Sequence, residues 1–370
     1  MAPLPDDSVQ ATPLPHQFLR EHPKAVYSDG KGPVKQDLVW YNIYKFIIYH
    51  ILALYGMWYI ITLQSMWQTL LFNVIFYFFS LIGVTGGAHR LWSHRAYKVR
   101  LPLKLLIMFL FTAAYQDSIY NWARDHRLHH KYTDTDADPH NSNRGFFFSH
   151  MGWLTMRRHP DVISKGKTID LSDITSDRLV MLQKKYYNPT APLLALGLPT
   201  FIPYYFWGEI LSVSFFVTIV RVVLSSHATF AINSFAHLYG TKPYDRTINP
   251  RESKVLKVIA AGEGWHNYHH TFPWDYKAAE FQNPFLNLTT TFLDFWAFFG
   301  QTYDLKTTSE DMIRKRVART GDGTWKDVKG KEILNSCNEV TSHNFHEECV
   351  WGWGDQDMKE EDIEDVLKNQ

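Results

Sequence analysis

Residues 66–94 read MWQTLLFNVIFYFFSLIGVTGGAHRLWSH. This stretch begins as an apolar run longer than the roughly 20 helical residues that cross a bilayer core. It ends on two histidines, His89 and His94, which are polar and potential metal ligands. The stretch therefore predicts a membrane helix that carries histidines to one face of the membrane.

The rest of the chain repeats this arrangement. Apolar runs predict four spans in two hairpins, at about 39–63, 66–89, 192–208 and 210–236. The links within the hairpins carry no Lys or Arg, whereas the region between the hairpins carries many, as is typical of a cytosolic segment. We therefore expect the histidine regions 89–191 and 237–305, and both termini, to be cytosolic. The shorter apolar segment Leu103–Tyr115 is expected to stay on that face, because a crossing would separate His94 from His126.

Composition limits the other possibilities. The 370 residues have a net charge of +1, which does not favour nucleic-acid binding. Two cysteines, Cys337 and Cys349, do not indicate a disulfide framework. Residues 1–37 predict a flexible arm, and the charged residues 306–370 predict a solvated, partly disordered tail.

The candidate ligands are histidines in three clusters and at one span end. The motifs are HRLWSH (89–94), HRLHH (126–130) and HNYHH (266–270), and His237 closes the fourth predicted span. In the second and third motifs, spacings of three and four residues place the imidazoles on one helical face. In the first, a five-residue step converges only if the helix ends or bends. The nine candidates are His89, His94, His126, His129, His130, His237, His266, His269 and His270.

Nine imidazoles suit two metal ions better than one. Neutral imidazole binds iron, zinc and copper, so ligand type alone leaves the metal open. The three motifs themselves contain no Glu, whereas the soluble di-iron bundles take Glu and Glu-x-x-His ligands, which argues against such a bundle. Asn233 lies inside a predicted span one turn before His237, and we expect it to contact a metal through water or to bond a neighbouring helix.

The flanking sequences carry a family resemblance. GVTGGAHRLWSHRAYK (83–98), NWARDHRLHHKYTDTDADPHN (121–141) and GEGWHNYHHTFPWDYK (262–277) resemble the membrane acyl-CoA desaturases of the stearoyl-CoA type, and its insect members most. The similarity covers about residues 38–305. It implies an all-α integral membrane fold, with four transmembrane helices under a cytosolic helical cap that holds a di-metal centre.

The resemblance also implies an activity. The nine histidines would hold two iron ions, with Asn233 bound through water, in the endoplasmic reticulum membrane. The reaction would remove two hydrogens from a fatty acyl-CoA using O2, with electrons from NADH through cytochrome b5 reductase and cytochrome b5. In insects this chemistry also serves pheromone precursor synthesis.

A bent acyl tunnel is implied as well. Positions that match its lining are Gln116, Trp122, Thr229 and Phe230, with Tyr77 and Leu81 near the closed end. Family members often carry Trp where this chain has Phe230. Positions that match contacts to CoA are Asn42, Arg124, Asp125, Arg157 and Arg158.

Several alternatives stay open from the sequence. Residues 248–252 read INPRE, which resembles a Δ9 signature but differs at Arg251, so Δ9 and Δ11 activity are both possible. A hydroxylase or acetylenase would use the same oxidant. A histidine-rich metal transporter would be expected to place its ligands near the bilayer midplane, whereas these histidines lie at span ends.

Overall fold

Long apolar helices form the body of the molecule. The computed structural model describes residues 36–281 and 283–326, so most of the predicted arm and tail, and both cysteines, lie outside the described residues. Three helices are long and apolar enough to cross a membrane. They are α1 (Trp40–Ile61), α2 (Trp67–Ile82) with its continuation to Ser93, and α10 (Leu211–Leu238). They match three of the four predicted spans, and the protein has the architecture of a membrane protein.

The remaining predicted span, 192–208, is helical but interrupted. Helix α8 (Arg178–Pro192) passes into a π-helical turn, Leu193–Gly197, and then into α9 (Leu198–Trp207). Pro199 has no N–H to donate to the carbonyl of Ala195 four residues earlier. The buried Arg221 of α10 donates to that carbonyl instead. This segment is not among the three helices of membrane-spanning length and composition, so a fourth span stays a prediction.

A buried carboxylate joins the two hairpin turns. Glu209 lies between α9 and α10 and is 2% exposed. One of its oxygens accepts from the Met66 N–H at 2.8 Å and the Thr69 hydroxyl at 2.7 Å, at the start of α2. The other accepts from the Ile210 N–H at 3.0 Å. Glu209 therefore ties the turn of one hairpin to the turn of the other.

The short apolar helix α3 (Leu101–Ala114) packs against α2. Gly83 permits this, because a Cβ there would collide with the backbone of Leu110 and Phe111. The chain before and after α3 returns to the same site, since His94 Nε2 and His126 Nε2 lie 2.8 Å apart. That geometry agrees with the expectation that this segment does not cross the membrane, which stays a prediction.

Shorter helices form a cap around the histidines. They are α4 (Ile119–Lys131), α5 (Phe146–His150), α6 (Pro160–Gly166), α7 (Ser172–Ser176), α11 (Lys254–Ile259), α12 (His266–Thr271), α13 (Leu288–Phe298) and α14 (Glu310–Thr320). Single 3-10 turns cover Ser142–Arg144 and Gly152–Thr155. Strand β1 (Lys98–Val99) pairs antiparallel with β2 (Thr302–Tyr303).

Part of the predicted tail belongs to this cap. Ser309 caps the N-terminus of α14, and its hydroxyl accepts from the Met312 N–H. Met312 and Ile313 are buried in one apolar cluster with Tyr268 of the third histidine motif. The folded structure therefore extends beyond residue 305, because α14 has an apolar face that the tail's overall charge conceals.

Candidate metal centre

The nine predicted histidines gather into two groups. In each group the available ligand atoms lie within 4.8 Å of one another. Group A is His89, His94, His126, His130 and His269. Group B is His129, His237, His266 and His270. The structure therefore brings all nine candidates together, in two adjacent sets that could each hold a metal ion.

A change of helix type brings His89 and His94 together. Beyond Ile82, α2 winds as a π-helix through Gly83–Ser93, and the His94 N–H donates to the His89 carbonyl five residues earlier. A π-helix pairs residues five apart, and such segments are frequent at functional sites. Of the two predicted possibilities, an end or a bend between the histidines, the structure has the first: the helix widens into a π-helix and ends at Ser93.

Each of the other two motifs divides its histidines between the groups. On α4, His126 and His130 contribute to group A and His129 to group B. On α12 the order is reversed: His269 contributes to group A, whereas His266 and His270 contribute to group B. The two helices meet at their histidine faces, where the rings of His130 and His270 stack with centroids 4.1 Å apart. Both helices therefore hold both groups.

Buried carboxylates orient the histidines from outside. Asp138 lies 2.8 Å from His129 Nδ1, Asp134 lies 3.0 Å from His237 Nδ1, and Glu263 lies 3.0 Å from His89 Nδ1. A carboxylate on one ring nitrogen fixes the tautomer, so that the proton sits on Nδ1 and Nε2 has a free lone pair. In these three residues Nε2 is the nitrogen available to a metal.

Burial and these carboxylates set the protonation of the site. Burial, reinforced by neighbouring histidines, holds the pKa of six of them well below the ordinary value; they are His94, His126, His130, His266, His269 and His270. Burial also lowers the pKa of His129, but Asp138 more than reverses this and the net direction is upward. Burial raises the pKa of Glu263, yet Arg90 and His89 bring it down to about 2. The site thus combines neutral imidazoles with ionised carboxylates around them.

The donor set fits transition metals. Nε2 of His129 and Nε2 of His270 are buried and have no hydrogen-bond partner. Such orphaned polar atoms are costly unless something binds them. Neutral imidazole suits iron, zinc and copper, and each group offers four or five such donors. The residues therefore fit a pair of these ions.

A cavity of about 460 Å³ leads to the histidines. Of the predicted substrate residues, its lining includes Asn42, Gln116, Trp122, Asp125, Arg158, Thr229 and Phe230. His126 of group A and Asn233 also line it. Seven predicted substrate positions and Asn233 thus line one space that reaches the candidate metal centre, and their roles stay predictions.

Polar contacts shape this cavity. Gln116, after α3, donates to the Thr229 hydroxyl on α10 at 2.9 Å. Arg158 pairs with Asp125, donating to one carboxylate oxygen at 2.7 Å. Trp122 stacks on His126 with ring centroids 4.8 Å apart. The space is thus bounded by a charged pair on the cap and by aromatic rings close to group A.

Four predicted substrate residues lie outside the cavity lining. Arg157 is exposed, and Arg124 pairs with Asp125 at 2.8 Å. The Tyr77 hydroxyl donates to the Ile259 carbonyl at 2.7 Å, and Leu81 is buried against Ala228 and Ala261. The cavity does not extend to Tyr77 and Leu81, so their place at a closed end stays a prediction.

The sequence analysis did not identify the carboxylates that orient the histidine ligands. It also did not identify a second set of histidines, outside groups A and B. The signal for the acids was available, because Asp134 and Asp138 follow the second motif and Glu263 precedes the third. His50, His150 and His227, which are not among the nine candidate ligands, form a hydrogen-bonded chain beside the cavity. Their separation in sequence gave no sign of this.

Comparison with known proteins identifies the family. The fatty acid desaturase family model matches residues 65–290, which is more than half of the chain and spans all nine histidines. The chain belongs to the fatty acid desaturase family. Among curated desaturases, it is 52% identical to the acyl-CoA Delta-12 desaturase of Tribolium castaneum, over 88% of this chain and 90% of that one. It is 49% identical to the acyl-CoA Delta-9 desaturase of Acheta domesticus, over 91% and 88%.

A third relative widens the range of named double-bond positions. The acyl-CoA Delta(11) desaturase of Trichoplusia ni is 45% identical, over 88% of this chain and 87% of that one. Desaturases named for three different positions thus match this chain at similar identity. Overall similarity therefore identifies the family without selecting the position.

Proposed function

We propose that the protein is an acyl-CoA desaturase that introduces a double bond into a saturated fatty acyl-CoA and holds two iron ions, one in each histidine group. One observation carries this proposal: the cavity opens between charged cap residues and reaches His126, at the edge of a site made of nine imidazoles. Imidazole binds iron, zinc and copper, and membership of the desaturase family favours iron among these metals. In the balanced reaction, R–CH2–CH2–R′, O2, two electrons and two protons give R–CH=CH–R′ and two molecules of water.

The chain's own residues bind and position. Arg158 and Asn42 line the cavity and would contact the phosphates and polar groups of CoA, since a guanidinium pairs well with phosphate. The aromatic and aliphatic lining accommodates the acyl chain. Bound iron supplies, with O2, an oxidant strong enough for an unactivated C–H bond. Asp134, Asp138 and Glu263 keep three imidazoles in the tautomer that offers Nε2.

The surroundings of the enzyme follow from the same proposal. Residues 38–305, with four spans, form the desaturase domain in the endoplasmic reticulum membrane, and the histidine face and both termini are cytosolic. NADH-cytochrome b5 reductase and cytochrome b5 supply the electrons. Asn233 contacts one iron through water, and Δ9 or Δ11 is the position of the new double bond.

Expression in desaturase-deficient yeast tests the activity. Mass spectrometry of total fatty acids is expected to show new monounsaturated products that require the intact second histidine motif. Hydroxy acids or alkynes without alkenes would indicate a hydroxylase or acetylenase instead. Iron analysis of the purified protein is expected to give about two ions per chain, and a value near zero would favour a different role for the histidines.

A further inference from the structure

Three histidines outside both metal groups form one hydrogen-bonded chain across three helices. His50 on α1 and His227 on α10 lie 2.9 Å apart, Nε2 to Nε2. The other ring nitrogen of His227, Nδ1, lies 2.9 Å from Nε2 of His150 on α5. Nδ1 of His150 lies 2.8 Å from the hydroxyl of Ser234, again on α10.

The pattern of nitrogens argues against a third metal ion. A metal would gather one lone pair from each ring at a common point. Here His227 uses its two nitrogens for two different partners on opposite sides of the ring. The chain is therefore a series of hydrogen bonds.

Which nitrogen donates in each of these hydrogen bonds follows from His50, the histidine at one end of the hydrogen-bonded chain. Nδ1 of His50 lies 2.7 Å from the Phe46 carbonyl, which can only accept, so this nitrogen carries the proton. In neutral rings His227 then donates to His50 and His150 donates to His227, so Nδ1 of His150 is left as an acceptor beside the Ser234 hydroxyl, which also lies 3.0 Å from the Phe230 carbonyl. Burial and the neighbouring His227 lower the pKa of His150 to about 4, which agrees with a neutral chain. Each ring nitrogen in the chain has a partner.

Two rings of this chain pack against Phe230. The rings of His150, His227 and Phe46 pack edge-on to Phe230, with centroids 5.8, 5.9 and 6.3 Å away. Phe230 itself lines the cavity. His227 and Phe46 line it too, whereas His150 is not part of the lining.

We propose that the His50–His227–His150 chain determines product position: it fixes the ring of Phe230 and thereby which carbons of the acyl chain face the metal centre. The three histidines are positioning residues, because they act through Phe230. This inference rests on the proposed desaturase activity. The ring of Phe230 can rotate about its side-chain bonds, so the rings of His150, His227 and Phe46 packed against it decide where it lies.

The test is the ratio of double-bond positional isomers made from saturated C16 and C18 chains. His150→Phe keeps an aromatic ring but removes both hydrogen bonds, and residue 150 is outside the cavity lining. Because a buried hydrogen bond shifts a conformational balance by roughly tenfold, the fraction of the minor isomer is expected to rise about tenfold. His227→Phe is the second variant if His150→Phe does not fold.

A double-mutant comparison separates positioning from general stability. Phe230→Leu alone is expected to shift the isomer ratio, and adding His150→Phe to it is expected to change the ratio no further. The matched control is His159→Phe, a buried cap histidine away from the cavity lining, which is expected to leave the ratio unchanged. An unchanged ratio in both His150→Phe and His227→Phe would overturn the inference, as would additive effects with Phe230→Leu. Absence of alkene from the wild-type protein would instead overturn the proposed function.

Discussion

Replacing Glu263 with glutamine removes one charge from a buried ion pair at the metal centre. Glu263 is 6% exposed, and its two oxygens lie 3.0 Å from His89 Nδ1 and 2.8 Å from Arg90 Nη2. Arg90 is 1% exposed and also donates to the Tyr276 carbonyl and the Thr290 hydroxyl. Glu263→Gln would therefore leave a buried guanidinium without its carboxylate.

The expected loss of stability can be worked out in two ways. The pKa of Glu263 is lowered to about 2 from an ordinary value of 4.5. At about 1.4 kcal/mol per pKa unit, this stabilises the folded state by about 3 kcal/mol. Removing one partner of a buried pair typically costs about 3–5 kcal/mol. For a domain of this size, 3 kcal/mol corresponds to a Tm lower by roughly 6–12 °C.

A thermal shift assay on detergent-purified protein measures this change, together with metal content. Loss of the partner of His89 is also expected to weaken metal binding by roughly 10- to 100-fold. Glu310→Gln is the matched control, because Glu310 is largely exposed and lies 3.8 Å from Arg314; no measurable change in Tm is expected there. A Glu263→Gln protein that melts within about 2 °C of the wild type, with full metal content, would refute the assigned role of this carboxylate.

Three further predictions concern the ligands, pH and topology. His126→Ala and His269→Ala are each expected to reduce alkene formation at least about 100-fold while far-UV circular dichroism stays unchanged; wild-type turnover would remove that residue from the site. In metal-free protein the pKa values of six buried histidines are lowered, so below about pH 6.5 the unfolded chain binds more protons than the folded chain. Tm is therefore expected to fall as the pH drops from 6.5 to 5.5, and the raised pKa of His129 opposes part of this fall. A Tm that does not change with pH over this range would contradict this prediction. In a protein without its native cysteines, Lys167→Cys is expected to react with an impermeant maleimide in intact microsomes and Leu63→Cys only after permeabilisation; the reverse pattern would invert the orientation.

The candidate ligands could be predicted from the sequence because their signal is local. Spacings of three and four residues within helices of the cap bring imidazoles to one face, whatever the rest of the chain does. Their division into two groups is not local. It depends on how α4 and α12 face each other, so that His129 joins His266 while its neighbours His126 and His130 join His269.

Helix continuity was harder to predict than helix location. The apolar runs located α1, α2 and α10 to within a few residues. The π-helical winding at Gly83–Ser93 and Leu193–Gly197 leaves no periodic signature in the sequence, since it depends on tertiary contacts such as the Arg221 donation to Ala195. The histidine chain beside Phe230 was likewise hidden, because it joins residues 77 and 177 positions apart.

Glu209 has a consequence for the biogenesis of the protein. Its carboxylate is satisfied chiefly by groups of the first hairpin, Met66 and Thr69. Under the proposed four-span topology, a second hairpin inserted alone would leave the Glu209 carboxylate with too few donors beside an apolar span, which is costly. Synthesis from the N-terminus places the first hairpin in the bilayer before Glu209 emerges. The order of translation therefore provides the donors of Glu209 before this carboxylate is inserted. A chain whose first hairpin is misplaced leaves the Glu209 carboxylate without those donors, which membrane quality control can detect.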